Sequence, residues 1–221
     1  MRVDMNETLV EIENYGIIPV IEIDEIDHIE PLVNAIMSGG LPIVEITMRT
    51  KAGRKAIEII KKRWPQVILG AGTLLSEEQI RFAVDYGADF GVSPGMNERV
   101  VEEALKLNFN FYPGIATPSD IERALNYGIN RMKFFPAESL GGLNMLKSLY
   151  APYKHLKVKF NPTGGINPEN MASYLTFEGV YAVGGTWIAK KEDIKNGNWE
   201  KIKESVVKAL LISKKAGKKT K

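Results

Sequence analysis

The sequence of 221 residues contains no cysteine, two histidines and no long apolar run. Without cysteine there can be no disulfide, no thiolate nucleophile and no cysteine metal site. His28 and His155 have charged neighbours and no ligand spacing, so we expect surface positions and no metal site. No run approaches the ~18 apolar residues that a membrane-spanning helix needs. The chain also opens without a charged, apolar and small-residue leader, so we expect a soluble, cytoplasmic protein.

The charges are nearly balanced, with 29 Lys and Arg against 27 Asp and Glu. Five of the lysines fall in the last nine residues, so the first 212 residues carry a formal charge of about −3. A body of this charge is not a nucleic-acid surface, and we expect no nucleic-acid and no membrane partner. The sequence predicts one domain over residues 1–212 and a lysine-rich, disordered tail over residues 213–221.

One pattern recurs along the chain: a short apolar strand, a loop rich in Gly, Pro, Thr or Ser, and an amphipathic helix. An additional helix is predicted before the first strand, over residues 4–15, from the spacing of Met5, Leu9 and Ile12. The spacing of the strands, 21 to 27 residues, suits one strand, one helix and two short loops. The predicted strands start near Ile17, Pro42, Gln66, Asp89, Asn110, Arg131, Val158 and Val180.

Eight such units predict an α/β, single-domain (β/α)8 TIM barrel with an extra N-terminal helix. The alternative is an open, doubly wound sheet. Against it, no Gly-x-Gly-x-x-Gly motif follows the first strand, and the stretch 70–73 lacks the third glycine.

Two charged residues stand inside apolar runs, Lys133 in the stretch 131–136 and Glu45 in the stretch 41–46. Burial penalises the ammonium form of a lysine, so the free amine becomes available as a nucleophile. A lysine in this position can also be a structural ion-pair partner. The same holds for Glu45, which could pair with Lys133 or Arg49 and still perform acid–base work.

In such a barrel the functional residues lie at the C-terminal ends of the strands. There the sequence places a lysine, a carboxylate, an arginine and several hydroxyls. It also places Gly164-Gly165 and Gly184-Gly185 after the seventh strand and at the eighth. These loops frequently bind phosphate in barrels of this kind, because glycines let backbone N–H groups approach the anion. We therefore predict an anion site there, although a Gly-Gly pair is also common in plain turns.

Eight short motifs are spread over most of the chain: GIIPVI (16–21), VEITMRT (44–50), LGAGT (69–73), VSPG (92–95), YPGIAT (112–117), MKFFPAE (132–138), NPTGGI (161–166) and VGGTW (183–187). In composition and order this set resembles the 2-keto-3-deoxy-6-phosphogluconate (KDPG) / 4-hydroxy-2-oxoglutarate (KHG) aldolase family.

The resemblance implies a class I aldolase, a lyase of carbohydrate metabolism (Entner-Doudoroff) that forms a Schiff base with pyruvate and needs no metal or other cofactor. It implies cleavage of KDPG to pyruvate and glyceraldehyde 3-phosphate, of KHG to pyruvate and glyoxylate, or of both, and usually a homotrimer. By position, Lys133 is the imine-forming lysine and Glu45 the general acid and base. The remaining positions are Arg49, Thr73 and Thr163 at the pyruvyl carboxylate, Phe135 and Pro94 in the pocket wall, and Gly164, Gly165, Gly184, Gly185 and Thr186 at the phosphate.

One position departs from the family pattern. Several members have an arginine near the end of the first strand, where it holds the phosphate, and this chain has Glu22. A carboxylate repels a nearby phosphate. Glu22 points elsewhere, or a lysine such as Lys51 or Lys190 compensates it, or the preferred substrate lacks the phosphate.

Two other classes of function stay open at this point. A sugar-phosphate isomerase would use Glu45 as a base and Lys133 as an electrophilic donor, without a covalent intermediate. A non-catalytic barrel that binds sugar acids would need no neutral lysine.

Overall fold

The structure, a computed structural model, describes residues 5–219, without the side chains of residues 5 and 6. For each of the eight predicted strands, the structure has a strand that begins at most three residues after the predicted start. The strands are β1 (Ile17–Ile21), β2 (Ile43–Thr47), β3 (Ile68–Gly72), β4 (Phe90–Val92), β5 (Phe111–Tyr112), β6 (Gly114–Ile115), β7 (Arg131–Phe134), β8 (Lys159–Pro162) and β9 (Val183–Gly185).

Helices follow the strands, and one precedes them in the stretch where the sequence predicts a helix. Side-chain caps start several: the Ser76 hydroxyl accepts from Gln79 N, and Thr117 forms a capping box with Asp120 before Pro118. The α-helices are α1 (Met5–Tyr15), α2 (Ile29–Ser38), α3 (Lys51–Arg63), α4 (Glu77–Asp85), α5 (Glu98–Lys106), α6 (Pro118–Asn126), α7 (Gly142–Tyr153), α8 (Met171–Leu175), α9 (Lys191–Lys195) and α10 (Trp199–Lys215). Short 3₁₀ helices lie at Ile26–His28, Glu138–Leu140 and Lys154–Leu156.

The strands form two parallel sheets, ordered β5-β4-β3-β2-β1-β9 and β6-β7-β8. Single parallel bridges, Phe160 to Val180 and Thr163 to Gly184, link the β8 and β9 regions. The molecule is an α/β fold whose parallel strands curl at least halfway round a barrel. Because the strands are parallel, their C-terminal ends meet at one edge.

The fifth predicted strand occurs as two pieces. β5 pairs with β4, and β6 pairs with β7 through Gly114 and Lys133. Pro113 stands between the pieces and has no N–H to give to a ladder, while its carbonyl accepts from Lys133 N at 2.9 Å. The proline explains why the single predicted strand is interrupted.

The buried apolar side chains form one cluster, which extends from Ile12 on α1 to Ala209 on α10. α10 lies on α2, and a Cβ added at Gly39 would come within 2.6 Å of the Val206 side chain. Within residues 5–219 no helix is long and apolar enough to cross a membrane.

The predicted tail boundary at residue 213 was wrong. α10 continues to Lys215, and the buried Ser213 hydroxyl donates to Tyr15 O at 2.6 Å. Lys218 Nζ donates to Tyr181 O at 3.0 Å, and burial lowers the pKa of Lys218. The side chains of Ser213 and Lys218 therefore fix this C-terminal segment, because they donate hydrogen bonds to backbone carbonyls just before β1 and β9. Residues 220 and 221 of the tail, and residue 4 of the first predicted helix, lie outside the described residues.

Candidate active site

Lys133 and Glu45 meet on the inner side of the curved sheets. Lys133 lies on β7 and Glu45 on β2, in different sheets, and both side chains are buried. Lys133 Nζ donates to Glu45 Oε1 at 3.3 Å. Side chains alternate along a strand, so the apolar neighbours Val44 and Ile46 face the helices while Glu45 faces inward. The two charges that interrupt apolar runs in the sequence therefore form one ion pair.

The space for Glu45 depends on Gly72 of β3. A Cβ at Gly72 would lie 2.4 Å from Glu45 Oε1, closer than any real contact. The other carboxylate oxygen, Oε2, is buried and has no hydrogen-bond partner within residues 5–219. On the lysine side, Nζ lies 5.6 Å from the centroid of the Phe135 ring.

A buried ion pair of this kind is a poor source of stability. Removing two charges from water costs several kcal/mol per ion, and apolar residues in their place are often as good or better. Glu45 Oε2 adds a buried acceptor that no group of the described residues satisfies. Such pairs are typical of functional sites, where they supply a base and a nucleophile.

Arg49 and Thr73 lie beside each other after β2 and β3. Arg49 Nε donates to the Thr73 hydroxyl at 3.1 Å, and Arg49 Nη1 donates to Glu22 Oε2 at 3.2 Å. Lys191 Nζ donates to Glu22 Oε1 at 2.7 Å and contacts Asp24 Oδ2 at 3.0 Å. Two hydrogen bonds raise the pKa of Lys191: the one to Glu22 has the larger effect and the one to Asp24 the smaller. Glu22 is thus compensated by Arg49 and by Lys191, a lysine that the sequence did not single out.

Thr163 follows β8 and is hydrogen-bonded to Asn161, a residue that the sequence analysis did not identify. The Thr163 hydroxyl donates to Asn161 Oδ1 at 3.0 Å, and both side chains are buried. A Cβ at Gly184 would lie 2.3 Å from Thr163 Oγ1, so a glycine is needed where β9 passes. Asn161 stands between Phe160 and Pro162 in the segment 158–162, which Lys159 also interrupts, so the signal is weaker than the one that marked Lys133 and Glu45.

The two glycine pairs differ in conformation. Gly164 and Gly165 have φ of 99° and 82°, the left-handed region that glycine adopts readily, and Gly164 O accepts from Glu138 N at 3.0 Å. Gly184 and Gly185 belong to β9 and pair with Ile18 and Pro19 of β1.

Pro94 and Thr186, the remaining predicted residues, lie at the edge where the C-terminal ends of the strands meet. Pro94 follows β4 and lies against Gly114, whose added Cβ would come within 2.2 Å of the Pro94 carbonyl. Thr186 directly follows β9 and is exposed. Glu45 lies in the middle of β2 and Gly184 in the middle of β9, while the other predicted site residues lie near the C-terminal ends of strands or in the segments after them. The part of the chain that the structure describes contains no group of three or more His, Cys, Asp or Glu that could hold a metal.

The chain was compared with a family model, with known proteins and with solved structures. The family model described as KDPG and KHG aldolase matches residues 10–205. The chain is 41% identical over 198 residues to the 2-dehydro-3-deoxy-phosphogluconate aldolase of Haemophilus influenzae, covering 90% of this chain and 92% of that protein. It is 36% identical over 186 residues to the KHG/KDPG aldolase of Escherichia coli K12, covering 84% and 86%.

Among solved structures, the KDPG aldolase of Legionella pneumophila superposes with a TM-score of 0.87 at 38% identity. The match covers 90% of this chain and 96% of that one. That structure holds pyruvate captured at low pH as a covalent carbinolamine intermediate.

Proposed function

Because the chain belongs to the KDPG and KHG aldolase family, whose members are lyases, we propose that it is a class I aldolase using Lys133 and Glu45. It cleaves KDPG to pyruvate and glyceraldehyde 3-phosphate, KHG to pyruvate and glyoxylate, or both. The names of the Haemophilus and Escherichia relatives support these two substrates. The observation that carries the proposal is the buried contact of 3.3 Å between Lys133 Nζ and Glu45 Oε1.

The first half of the reaction forms the imine. A proton passes from Lys133 Nζ to Glu45 along their hydrogen bond, which leaves a free amine beside a carboxylic acid. The amine attacks C2 of the ketone and forms a C–N bond while Glu45 gives its proton to the C2 oxygen. Glu45 then takes one of the two protons left on Nζ, which gives a neutral carbinolamine beside a carboxylic acid. The C–O bond then breaks, Glu45 supplies the proton with which the oxygen leaves as water, and a protonated imine remains.

The second half breaks the C3–C4 bond. Glu45, again a carboxylate, takes the proton of the C4 hydroxyl while the bonding electrons move toward the imine nitrogen. The aldehyde leaves and an enamine of pyruvate remains. Glu45 returns the proton to C3, and hydrolysis of the imine frees pyruvate and Lys133.

Three polar side chains bind the pyruvyl carboxylate in this proposal: Arg49, Thr73 and Thr163. The hydrogen bond from Arg49 Nε to Thr73 supports it, because it fixes the guanidinium plane with other N–H groups left to bind a carboxylate in a bidentate manner. Phe135 and Pro94 form the pocket wall. The Phe135 ring near Lys133 Nζ supports this part.

The phosphate of KDPG lies against the two glycine segments, Gly164-Gly165 and Gly184-Gly185-Thr186. The bridge between Thr163 and Gly184 supports a single site, because it brings the two segments side by side at the rim. Glycine backbone and the Thr186 hydroxyl are suitable donors to phosphate oxygens.

The architecture that fits this chemistry is a closed (β/α)8 barrel with an extra N-terminal helix. Counting β5 and β6 as one strand interrupted at Pro113 gives eight strands, and the bridges at Phe160 and Thr163 join β8 to β9. α1 then covers the N-terminal end, in contact with β1 and α10. The same proposal includes a cytoplasmic homotrimer in sugar-acid metabolism, with small-molecule substrates as its partners. Sedimentation analysis tests the trimer.

Covalent trapping tests the proposed chemistry. Incubation with pyruvate and borohydride is expected to add one reduced pyruvyl group, located at Lys133 by peptide mass spectrometry. An isomerase or a binding protein forms no such adduct, so absence of the adduct would refute the Schiff-base mechanism.

The controls separate the nucleophile from other lysines. Lys62→Ala removes an exposed lysine on α3 and should leave the adduct intact. Lys133→Met should abolish it. Since a lone buried Glu45 destabilises the fold, the double variant Lys133→Met/Glu45→Gln provides an uncharged pair of similar size for comparison.

A further inference from the structure

Asn161 has a buried hydrogen-bond donor without an acceptor. Its side chain is only 2% exposed, and Nδ2 has no partner within residues 5–219. An amide N–H can only donate, and leaving it unsatisfied in the interior is unfavourable. Such a donor is available to an oxygen that arrives from outside the chain.

The position of Asn161 relates it directly to Lys133. In the parallel pairing of β7 with β8, Asn161 is the register partner of Lys133. Paired residues of neighbouring strands face the same side of a sheet, so both side chains project into the barrel.

The orientation of the amide follows from its other contact. Oδ1 accepts from the Thr163 hydroxyl at 3.0 Å and would lie 3.1 Å from a Cβ at Gly184. Oδ1 therefore faces β9, on the side of β8 opposite to β7. Because the amide is planar and carries Nδ2 on its other edge, Nδ2 is turned from β9 toward the strand that bears Lys133.

We propose that Asn161 is a further catalytic residue, whose Nδ2 donates a hydrogen bond to the C2 oxygen of the substrate. The inference rests on the proposed function, in which Lys133 attacks C2. That oxygen is bonded to the attacked carbon, so it must lie beside Nζ whatever the rest of the substrate does. Glu45 Oε2 is another buried atom without a hydrogen-bond partner within residues 5–219, but it is an acceptor and cannot donate to this oxygen when ionised.

The donor acts on both steps of imine formation. When Nζ bonds to C2, the C=O π electrons move onto the oxygen, and Nδ2 stabilises the charge until a proton arrives from Glu45. Glu45 then takes a second proton from Nζ and passes it to the oxygen, which leaves as water while still held by Nδ2 when the C–O bond breaks. No oxidant, reductant or co-reactant is needed.

The rate of imine formation with saturating pyruvate alone tests the role, measured by quenching with borohydride at increasing times. Asn161→Ala removes the amide, and Asn161→Asp keeps the shape and the acceptor for Thr163 but loses the donor. Both are expected to slow trapping by ~10- to 100-fold, toward the range for loss of one oxyanion donor. Trapping at the wild-type rate in either folded variant would overturn the inference.

Asn110→Ala is the matched control. Asn110 Nδ2 donates to Asp89 O at 3.0 Å, just before β5 at the opposite end of the strands. Its loss should lower the melting temperature and leave the trapping rate unchanged. Equal slowing in this variant would indicate a general effect of lost hydrogen bonds and would contradict the specific role of Asn161.

A wild-type measurement covers the case in which the Asn161 variants do not fold. In crystals soaked with pyruvate, the C2 oxygen of the carbinolamine should lie within hydrogen-bond distance of Nδ2. A separation beyond that distance refutes the inference. If the wild type forms no adduct at all, the proposed function fails; if it forms the adduct without this contact, only the role of Asn161 fails.

Discussion

Glu22 and Arg49 form an ion pair across the ends of β1 and β2, with Glu22 Oε2 3.2 Å from Arg49 Nη1. The other Glu22 oxygen holds Lys191, so one carboxylate connects the proposed pyruvyl-binding arginine to the segment after β9. With Asp24 bonded to the same lysine, two cations and two anions cancel in this cluster. A phosphate near it would find no uncompensated positive charge.

Reversal of the charge at Glu22 should therefore raise the preference for phosphate. In Glu22→Arg, the specificity constant for KDPG relative to its unphosphorylated analogue should rise by about 5- to 150-fold, equivalent to ~1–3 kcal/mol for a charge-assisted contact. Steady-state kinetics on both compounds measure the ratio. KHG, with its shorter chain, serves as the internal reference and should change little.

Glu22→Gln distinguishes loss of repulsion from gain of attraction. It removes the charge while keeping the shape, so its phosphate preference should fall between wild type and Glu22→Arg. Absence of any phosphate preference in all three proteins would mean that the glycine segments do not bind phosphate.

Glu45→Gln should separate imine formation from bond cleavage. The amine of Lys133 remains, so a folded Glu45→Gln protein should still trap pyruvate with borohydride, but more slowly, because water must replace Glu45 in the proton transfers of imine formation. Aldol cleavage should slow further, by ~10²–10⁴-fold, the usual contribution of a general acid–base group. If trapping and turnover fall by the same factor, Glu45 acts on imine formation alone and not on cleavage of the C3–C4 bond.

Gly72→Ala should impair catalysis through steric displacement. The added methyl would overlap Glu45 Oε1, and Gly72 has no positive φ that would add backbone strain. The carboxylate must leave its position beside Lys133, and misplacement by about 1 Å can cost ~10²-fold in rate. We expect that loss in kcat with little change in melting temperature. Gly95→Ala, whose Cβ would meet nothing within 4 Å, is the matched control and should remain active.

Acid should remove a stabilising contribution from Asp193. The hydrogen bond from Lys201 at 2.7 Å, with a further one from Asn198, holds the pKa of the Asp193 carboxyl below its ordinary value despite burial. The unfolded chain therefore takes up this proton at a higher pH than the folded protein. The contribution is complete above the unfolded pKa of about 3.9 and is lost as the pH falls through the folded pKa.

Urea unfolding of wild type and Asp193→Asn across the acid range measures this effect. The difference in the free energy of unfolding should be largest near neutral pH and shrink below about pH 4. Lys201→Met removes the main cause of the shift and should reduce the same pH dependence. A difference that is constant with pH would contradict the assignment.

The sequence predicted the strands and the central pair for a simple reason. A charge inside a short apolar run must face an interior, so Lys133 and Glu45 were recognisable without knowledge of their contact. Asn161 carries the same signal in a weaker form, because asparagine is common at strand ends and draws no attention there.

Other features depend on contacts between distant parts of the chain. Lys191 lies 169 residues from Glu22, and local patterns contain no information about that bond. The lysine-rich end was misjudged for a related reason. Composition predicts disorder there, but Ser213 and Lys218 bind carbonyls of residues 15 and 181, which composition cannot indicate.

The burial of the Lys133–Glu45 pair also constrains how the chain can evolve. Loss of one member leaves an unpaired charge in the interior, whereas exchange of both for apolar residues is often harmless to the fold. A single substitution of either residue therefore destabilises the fold, and only a second substitution at the other position restores its stability. Two positions 88 residues apart in sequence are bound by this epistasis. Even without selection for activity we expect the pair to persist, because both single substitutions that lead away from it are destabilising.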